Sequence, residues 1–427
     1  MTCQAALPTP IGGSLSTLPD PPAPEPLQVL ILGINYAPEP VGIGPYTRGL
    51  AEGLALAGFA VHVVTATPSY PQWKSFPGYS GRRWVSSMEN GVFITRCPVY
   101  VPAEPTGLRR IIHLVSFSLS SFVPLLMKAG RRKPAMVVCI APSILSLPVA
   151  WLGARLTGAR LWVHVQDFEV EAAFATGLLR DDGVVSKAAR ALENGLLGLA
   201  DRVSTISPQM CRRLVAKGVP PDRVRELRNW ANVPEMDAGA GASYRAEWKI
   251  GERKVALYSG NIAHKQGIEI LIEAAKALVS RKDLLIVICG EGPNRARLEE
   301  LARGLENVRF ADLQPANRLG ELLALASIHL LPQINGAADL VLPSKLTNML
   351  ASGRPVIATA MPGTGLYDEV DGCGLLVPPG DAQAFAAAIV RLADEPALAR
   401  SLGRKGRERS VERWRECAII GRFADEF

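Results

Sequence analysis

The sequence predicts an α/β protein made of two doubly wound domains that face each other across a cleft. Short apolar runs alternate with helical patterns along most of the chain, which is typical of parallel sheets covered on both faces. The alternation starts twice, near residue 27 and near residue 254, and in each half the first predicted strand ends at a glycine. A chain of 427 residues is long enough for two such domains with complete cores.

The first half opens with a predicted strand at 29–32, and further short apolar strands are predicted at 61–66, 136–141, 160–166 and 203–207. Between the first two strands, residues 47–58 have the apolar spacing of a helix that stops at a glycine. Helical patterns also separate the later strands. This order predicts a Rossmann-like sheet with helices on both faces.

The second half repeats this arrangement after a break. The pattern dissolves at the small-residue stretch 238–243, where we place a domain joint. Short apolar strands are then predicted at 254–260, 284–290, 308–313, 327–333 and 355–360. The predicted organisation is a disordered proline-rich extension (1–26), an N-terminal Rossmann-like domain (27–235), a C-terminal Rossmann-like domain (246–405) and a C-terminal helix (406–427) that can pack back on the first domain.

Composition restricts the partners and the compartment. A formal charge of +7 and a pI near 9.1 favour acidic partners, namely nucleotides, nucleic acid or an anionic membrane surface. The seven cysteines are scattered without a CxxC pair, which argues against a zinc site or a disulfide framework and favours a reducing cytoplasm. Residues 1–26 lack the basic-then-apolar order of a signal peptide.

Two segments of the first half bear on membrane association. No uninterrupted apolar run of about 18 residues occurs, so no spanning helix is predicted. The segment 111–127, flanked by arginines and lysines, is either a core-packed helix with basic ends or a helix that lies on anionic lipid. The loop 70–84 interleaves aromatic with basic side chains, which suits either a membrane interface or a surface loop that closes over the cleft.

The glycine loop after the first strand does not match the common nucleotide-binding patterns. Gly42 and Gly44 fit the start of a dinucleotide fingerprint, but Thr47 stands at the third glycine position and the second strand ends without a carboxylate. No G-x-x-x-x-G-K-[ST] motif occurs either. An NAD-dependent dehydrogenase or epimerase is therefore a weak alternative, and the loop is either a ligand contact or a flexible connection.

The second half contains turns that suit a diphosphate. Predicted strands end at Gly260 and Gly290, and Lys265 follows the first of them just before a helix. In the stretch 339–356 a short helix begins with Lys345 in its first turn. Glycine lets the backbone approach a ligand closely, and a lysine beside a helix N-terminus places positive charge near a phosphate. The pattern therefore predicts a diphosphate site.

The strand predicted at 160–166 ends in a cluster of titratable residues. His164, Asp167 and Glu169 lie close together at this strand end, where they have either a structural role or one that faces the cleft. The sequence contains no D-x-D motif, so no metal ligands are predicted. The cations of the protein itself must then stabilise a diphosphate.

A series of motifs occurs in the order found in one enzyme class. The motifs are GIGPYT, YPQW, VHVQDFEVEAAF, VSTIS, LYSGNIAHKQG, LPSKLTNMLASGRPV and GLLVPPGD, between about residues 28 and 385. This series resembles the GT-B glycosyltransferases of the GT4 class, and within that class most closely the WcaI type of colanic acid biosynthesis. The resemblance implies a retaining, metal-independent hexosyltransferase with an acceptor domain first and a nucleotide-sugar donor domain second.

The resemblance also implies roles for individual residues. The donor-binding positions are then Gly260, Asn261, Lys265, Gly290, Glu291, Asp339, Leu342, Pro343, Ser344, Lys345 and Asn348. The acceptor-binding positions are Gly42, Ile43, Gly44, Tyr46 and Glu169, and the catalytic residues are His164, Asp167 and Lys265. The lysines and helix amides would hold the leaving diphosphate, while His164 or Asp167 would orient the sugar or the acceptor hydroxyl.

The sequence departs from the family pattern in one helix. The pattern has two glutamates, one for the donor sugar and one for the nucleotide ribose, where this chain has Leu340 and Asn348. Asn348 can still hydrogen-bond ribose hydroxyls, and Asp339 lies one residue away from the sugar position. A catalytically silent nucleotide-binding or scaffold protein of GT-B shape therefore stays open as the alternative function.

The resemblance implies partners and a location as well. The expected co-substrate is a GDP- or UDP-linked sugar, with no cofactor. The expected acceptor is a lipid-linked saccharide in exopolysaccharide or capsule biosynthesis. We expect a cytoplasmic protein that lies peripherally on the inner face of the cell membrane, and we do not expect nucleic acid as a partner.

Overall fold

The chain divides into two compact units, one formed by residues 1–203 with 420–427 and the other by residues 204–419. The computed structural model describes residues 25–427 except 41, 80, 105, 169, 171–182, 232–238 and 335–343, and except the side chains of Lys265 and Ser344. Helices surround two largely parallel sheets, one in the first half of the chain and one in the second.

The first sheet has eight strands. They are β1 (Gln28–Gly33), β2 (Ala60–Ala66), β3 (Val85–Glu89), β4 (Val92–Cys97), β5 (Met136–Ala141), β6 (Arg160–Val165), β7 (Arg202–Thr205) and β8 (Val224–Glu226). Their order is β3-β4-β2-β1-β5-β6-β7-β8. Strands β4, β2, β1, β5 and β6 pair in parallel, and β3 is antiparallel to β4.

The helices along this half are α1 (Gly44–Leu56), α2 (Gly107–Arg132), α3 (Leu147–Thr157), α4 (Val184–Leu197) and α5 (Pro208–Ala216). Short 3₁₀ turns occur at Ile144–Ser146 and Pro221–Arg223. The strand order reverses beside β1, so the carboxyl ends of β1 and β5 form a topological switch point. Open α/β sheets bind their ligands at such a point.

The second sheet has six strands. They are β9 (Lys254–Ser259), β10 (Leu284–Cys289), β11 (Val308–Ala311), β12 (Ile328–Leu331), β13 (Val356–Thr359) and β14 (Leu375–Val377). Their order is β11-β10-β9-β12-β13-β14, and every neighbouring pair is parallel. The order reverses between β9 and β12, which makes the carboxyl ends of these two strands the switch point of this sheet.

Nine further helices belong to the described part of this half. They are α6 (Ala242–Glu247), α7 (Glu269–Ala277), α8 (Arg295–Leu301), α9 (Leu319–Leu325), α10 (Ser344–Ala351), α11 (Gly365–Val370), α12 (Ala382–Asp394), α13 (Pro396–Trp414) and α14 (Glu416–Ala424). Short 3₁₀ turns occur at His264–Gln266 and Ala316–Arg318.

Alternate residues of β9 point into two different cores. Ala256 and Tyr258 lie in a core that includes side chains of α7 and α12, whereas Val255 and Leu257 lie in one that includes side chains of α6 and α9. Because both faces of the strand are covered, its sequence is apolar throughout. This burial fixes the strand register, and with it the position of the loop that follows β9.

The predicted fold class, α/β with two doubly wound parallel sheets, is confirmed. The predicted strands recur with shifts of a few residues at their ends. No element is predicted for 85–97, where the structure has the β3–β4 hairpin. Asn90 and Gly91 form its two-residue turn with φ of 49° and 79°, the left-handed geometry that the right-handed twist of a hairpin favours.

Helix α2 packs along one face only. Its buried residues recur every four positions, and Leu125 lies against Gly153 of α3, where an added Cβ would meet Leu125 at 3.3 Å. The opposite face exposes apolar side chains, among them Leu108 and Leu119 at 70% and 72%. By length and composition alone, α2 is also the one helix of the described chain that could cross a membrane. The absence of an uninterrupted apolar run of about 18 residues had predicted no spanning helix.

Side-chain contacts at the start and at the end of the second half explain which residues belong to each of the two units. Glu369 of α11 is buried and accepts hydrogen bonds from Arg228 (2.6 Å) and Arg413 (2.7 Å), which ties the segment after β8 to α11 and α13. In the first unit, Phe423 lies edge-on to Trp162, with the ring centroids 4.7 Å apart. The predicted domain boundaries stay a prediction.

Candidate functional site

Two strand-end glycines lie in contact at the carboxyl edge of the second sheet, and one of them, Gly260, is at its switch point. Gly260 follows β9 with φ of +140°, and Gly290 follows β10 with φ of +147°. An added Cβ on Gly290 would overlap the carbonyl oxygen of Gly260, and the Gly260 N–H donates to the Cys289 carbonyl at 2.9 Å. Only glycine allows this backbone conformation and this approach at Gly290, so the two loops form one surface above β9 and β10.

The ammonium of Lys345 lies above the first of these glycines. A Cβ on Gly260 would stand 3.1 Å from Lys345 Nζ, so the amine lies beside the space that the missing side chain leaves. Lys345 belongs to the first turn of α10. Positive charge therefore meets the carboxyl end of the central strand, where a parallel sheet receives ligands.

Tyr258 of β9 holds this amine from below. Lys345 Nζ donates to Tyr258 Oη at 2.9 Å and lies 4.2 Å from the centroid of the same ring. Tyr258 Oη in turn donates to the Asn261 carbonyl at 2.6 Å. Burial raises the pKa of Tyr258 above its ordinary value, so the phenol is neutral.

The loop after β10 is fixed by Arg295, which is mostly buried. Its guanidinium donates to the Gly290 carbonyl (3.0 Å) and to Glu291 (2.7 Å), and it pairs with Asp312 after β11 at 2.7 Å. The pKa of Arg295 is raised, mainly by its hydrogen bond to Glu299. The carboxylate of Glu291, predicted to bind the donor, is thus paired with Arg295.

The turn that carries Lys265 packs against the loop after β12. It is a 3₁₀ turn, His264–Gln266, and it ends at Gly267 with φ of +61°. An added Cβ there would meet Ile334 Cγ2 at 2.9 Å. The turn therefore lies beside the switch point, and the side chain of Lys265 is outside the described atoms.

Helix α10 contributes one more predicted residue. Asn348 is three residues after Lys345, so the two are neighbours on the helix surface, and Asn348 is partly buried. The predicted donor positions Asp339, Leu342 and Pro343, together with Leu340, lie outside the described residues, as does the side chain of Ser344. Asn261 is exposed in the loop between Gly260 and the Lys265 turn.

In the first unit, the glycines of the predicted acceptor loop pack against their own surroundings. An added Cβ on Gly42 would meet the Tyr70 ring at 3.2 Å, and one on Gly44 would meet Glu39 Cβ at 3.1 Å. Ile43 and Tyr46 are partly buried here, and burial raises the pKa of Tyr46.

The carboxylate of Glu39 organises this acceptor loop. It is buried and accepts hydrogen bonds from the backbone N–H groups of Ser69 and Tyr70, both at 2.9 Å, and from Asn35 Nδ2 at 2.8 Å. Desolvation raises the pKa of Glu39 above its ordinary value, although the three donors act against that shift. One side chain thus ties the loop after β1 to the loop after β2.

The predicted catalytic histidine is a buried residue of β6. Gln166 Nε2 lies 2.9 Å from His164 Nε2. Because an amide nitrogen only donates, this ring nitrogen accepts and the ring proton is on Nδ1. Asp167 is exposed beyond the end of the strand, and Glu169 lies outside the described residues. Within the described part of the chain, no three His, Cys, Asp or Glu side chains group as metal ligands.

Family models match both halves of the chain. The model described as "Glycosyl transferase 4-like domain" covers residues 41–230, and the model described as "Glycosyl transferases group 1" covers residues 242–409. The colanic acid biosynthesis glycosyl transferase WcaI of Escherichia coli (strain K12) is 41% identical over 374 residues, which span 85% of this chain and 91% of WcaI. The chain belongs to the WcaI family of glycosyltransferases.

Solved structures share the fold of this glycosyltransferase. Sucrose-phosphate synthase from Thermosynechococcus elongatus superposes with a TM-score of 0.69 and 22% identity, over 94% of this chain and 98% of the synthase. HepE from Anabaena, solved with UDP-glucose, has a TM-score of 0.65 and 13% identity, over 94% and 99%. The predicted GT-B fold and GT4 class are confirmed.

Three side chains of the glycosyltransferase lie at these sites without having been predicted. Tyr258 looks like one more apolar residue of a buried strand, because Lys345, which donates to its hydroxyl, is 87 positions away in the sequence. Glu39 lies between two prolines, which indicates a turn and gives no sign of burial. Arg295 is three residues after the Glu291–Gly292 turn, and its pairing with Asp312 depends on the parallel register of β10 and β11.

Proposed function

We propose that this glycosyltransferase takes a sugar from a UDP- or GDP-linked donor and transfers it to a lipid-linked saccharide in exopolysaccharide or capsule biosynthesis. The observation that carries the proposal is the Lys345 ammonium above Gly260, at the switch point of the second sheet. Lysine acts as a point charge toward phosphate, and a diphosphate is the part of a nucleotide sugar with the most negative charge. The name of WcaI and the UDP-glucose complex of HepE support this class of reaction.

The transfer step we propose retains the anomeric configuration. The bond between the anomeric carbon and the phosphate oxygen breaks, and a bond forms from that carbon to the acceptor hydroxyl oxygen on the same face. The hydroxyl proton goes to the leaving phosphate oxygen. Negative charge grows on the diphosphate, and Lys345, Lys265 and the backbone amides at the start of α10 are the groups that we assign to stabilise it. The step needs no metal ion.

We assign His164 and Asp167 to the orientation of the sugar or of the acceptor hydroxyl. His164 accepts at Nε2, which leaves Nδ1–H as the hydrogen-bond donor of a neutral ring. Asp167 is exposed just beyond the end of the same strand. Neither residue has to remove a proton from the acceptor in this scheme.

The donor class is tested by thermal-shift titration of the purified protein with UDP-, GDP- and dTDP-sugars, followed by transfer assays. Lys345→Ala and Lys265→Ala each remove a charge-assisted contact worth about 1.5–3 kcal/mol, so both affinity for the diphosphate and kcat should fall. Unchanged kinetics in both variants would refute the assigned site. Tight binding of several donors without turnover of any of them would favour the catalytically silent alternative.

We further propose that the protein reaches its acceptor by lying peripherally on an anionic membrane through α2. Between residues 111 and 127 the exposed side chains of α2 are all apolar, and the indole of Trp84, 57% exposed, donates to the Ser120 carbonyl beside them. Basic residues flank this apolar face at both helix ends: Arg109, Arg110, Arg131, Arg132 and Lys133. Apolar burial and attraction to anionic headgroups are the two terms that hold an interfacial helix.

Sedimentation with liposomes tests this attachment. The protein should sediment with vesicles that contain phosphatidylglycerol, be partly released at high salt, and ignore neutral phosphatidylcholine vesicles. Replacing Arg109, Arg110, Arg131, Arg132 and Lys133 with glutamine should abolish sedimentation and leave transfer to a short soluble acceptor intact. A matched control replaces five exposed basic residues of α12 and α13 with glutamine: Arg391, Arg400, Arg404, Lys405 and Arg407. Equal loss in both variants, or no sedimentation of the wild type, would contradict the proposal.

A further inference from the structure

We infer that the hydroxyl of Tyr258 is a positioning group for the Lys345 ammonium, which it holds above Gly260 in readiness for the donor diphosphate. The inference rests on the proposed function, because it concerns how the diphosphate site is prepared. Tyr258 belongs to the strand and Lys345 to α10, and the two residues are 87 positions apart in the sequence. Their contact therefore joins the central strand to the helix that carries the cation.

The direction of the hydrogen bonds at Tyr258 follows from a proton inventory. A phenol has one proton, and the Asn261 carbonyl, 2.6 Å away, can only accept it. The Lys345 ammonium, 2.9 Å away, can only donate. The hydroxyl therefore accepts from Lys345 and donates to Asn261. The oxygen thus acts once as acceptor and once as donor, and the hydrogen bonds run in one direction, from Lys345 through Tyr258 to Asn261.

This chain of bonds ends on rigid structure. Tyr258 is fully buried in β9, and the Asn261 carbonyl belongs to the loop that Gly260 and Gly290 hold against the neighbouring strand. A lysine side chain has four flexible carbon–carbon bonds, and fixing them on ligand binding costs about 2 kcal/mol of rotamer entropy. The hydroxyl, together with the ring face 4.2 Å from Nζ, fixes the amine before binding.

The chemistry of a phenol suits this role better than that of a carboxylate. Burial raises the pKa of Tyr258, so the group stays neutral at physiological pH. A neutral acceptor orients the ammonium without itself cancelling its charge. An aspartate or glutamate at the same place would form an ion pair that the diphosphate must first break.

The test is a double-mutant cycle on nucleoside diphosphate binding. UDP, GDP and dTDP are titrated by calorimetry into wild-type protein, Tyr258→Phe, Lys345→Ala and the double variant. Tyr258→Phe keeps the ring and its packing and removes one oxygen atom. Tyr244→Phe is the matched control, because Tyr244 is also fully buried in the same unit and its hydroxyl also donates a hydrogen bond, to Gln314 at 3.0 Å.

We expect Tyr258→Phe to lower the affinity for the nucleoside diphosphate by about three- to thirtyfold. The upper value corresponds to the full rotamer entropy of a lysine. In the Lys345→Ala background the same change should have no effect, because a positioning group acts only through the group it positions. Tyr244→Phe should leave the affinity unchanged.

Each of the other outcomes contradicts either the positioning role of Tyr258 or the proposed function. If Tyr258→Phe weakens binding equally in both backgrounds, the hydroxyl has a structural role and the inference is wrong. If Lys345→Ala weakens binding and Tyr258→Phe does not, the inference alone fails. If wild-type protein binds none of the three diphosphates, or Lys345→Ala binds as tightly as wild type, the proposed function itself fails.

Discussion

His329 should lower the stability of the second unit at mildly acidic pH. This histidine of β12 is fully buried, and its Nε2 lies 3.0 Å from Ser352 Oγ. The Ser352 hydroxyl donates to the Met349 carbonyl at 2.6 Å, so it can only accept from the histidine, and His329 carries its proton on Nε2. The other nitrogen, Nδ1, is buried without a hydrogen-bond partner. Protonation at Nδ1 would bury a charge with no acceptor.

The size of the effect follows from the pKa. Desolvation by burial, with a smaller contribution from Arg354, lowers the pKa of His329 to about 3. In the unfolded chain the value is about 6.5. Between these values the unfolded state binds more protons, so stability rises with pH and is lost as the pH falls from about 6.5 toward 3. At pH 5 the loss from this one residue is about 2 kcal/mol.

Urea unfolding at about pH 7.5 and pH 5 measures this loss. His329→Gln keeps an Nε2 donor for Ser352 but cannot take up a proton, so its free energy of unfolding should fall by about 2 kcal/mol less than that of the wild type between the two pH values. Other titrating groups, including His62 with a pKa lowered to about 4 by burial, contribute equally to both proteins and cancel. Equal pH dependence of the two proteins would refute the buried neutral histidine.

Further predictions concern the reaction and the acceptor loop. Sugar transfer should survive EDTA, since no D-x-D motif is present, and a strict requirement for Mg²⁺ or Mn²⁺ in the transfer assay would exclude the proposed mechanism. Asn348→Ala should weaken free nucleoside diphosphate and the full donor by similar factors in calorimetry, and a loss confined to the sugar-bearing donor would contradict a ribose contact. Glu39→Gln should cost about 1–3 kcal/mol of stability and raise KM for the acceptor more than KM for the donor, because one of three donors to the carboxylate loses its acceptor.

The strands were predictable because a strand that is buried on both faces is apolar at nearly every position. All six residues of β10 and of β5 are buried, and such runs are apolar whatever their neighbours are. The β3–β4 hairpin was missed because its outer strand, β3, is mostly exposed and therefore mixed in polarity. Its Asn90-Gly91 turn was nevertheless a usable indication, since this dipeptide favours the two-residue hairpin turn.

The candidate site was only half predictable, for a physical reason. Gly260, Gly290 and Lys345 stand in recognisable turns, because backbone conformation and charge at a helix start are local properties. The partners that fix them are not local. Gly42 and Gly44 show the converse limit: their spacing suggests ligand contact, whereas the space beside each is filled by Tyr70 and Glu39.

Position and stability are set by the same side chains in the second unit. Lys345 meets Tyr258 only because α10 is docked, and an eight-residue helix is not stable by itself. Leu346, Met349 and Leu350 dock it, all fully buried in a core that includes side chains of β13 and Trp414. These three apolar residues place the Lys345 ammonium within hydrogen-bond distance of Tyr258 in β9, although none of them forms a hydrogen bond to it. The polar motif residues alone therefore do not determine the site, since its geometry depends equally on the apolar face of α10.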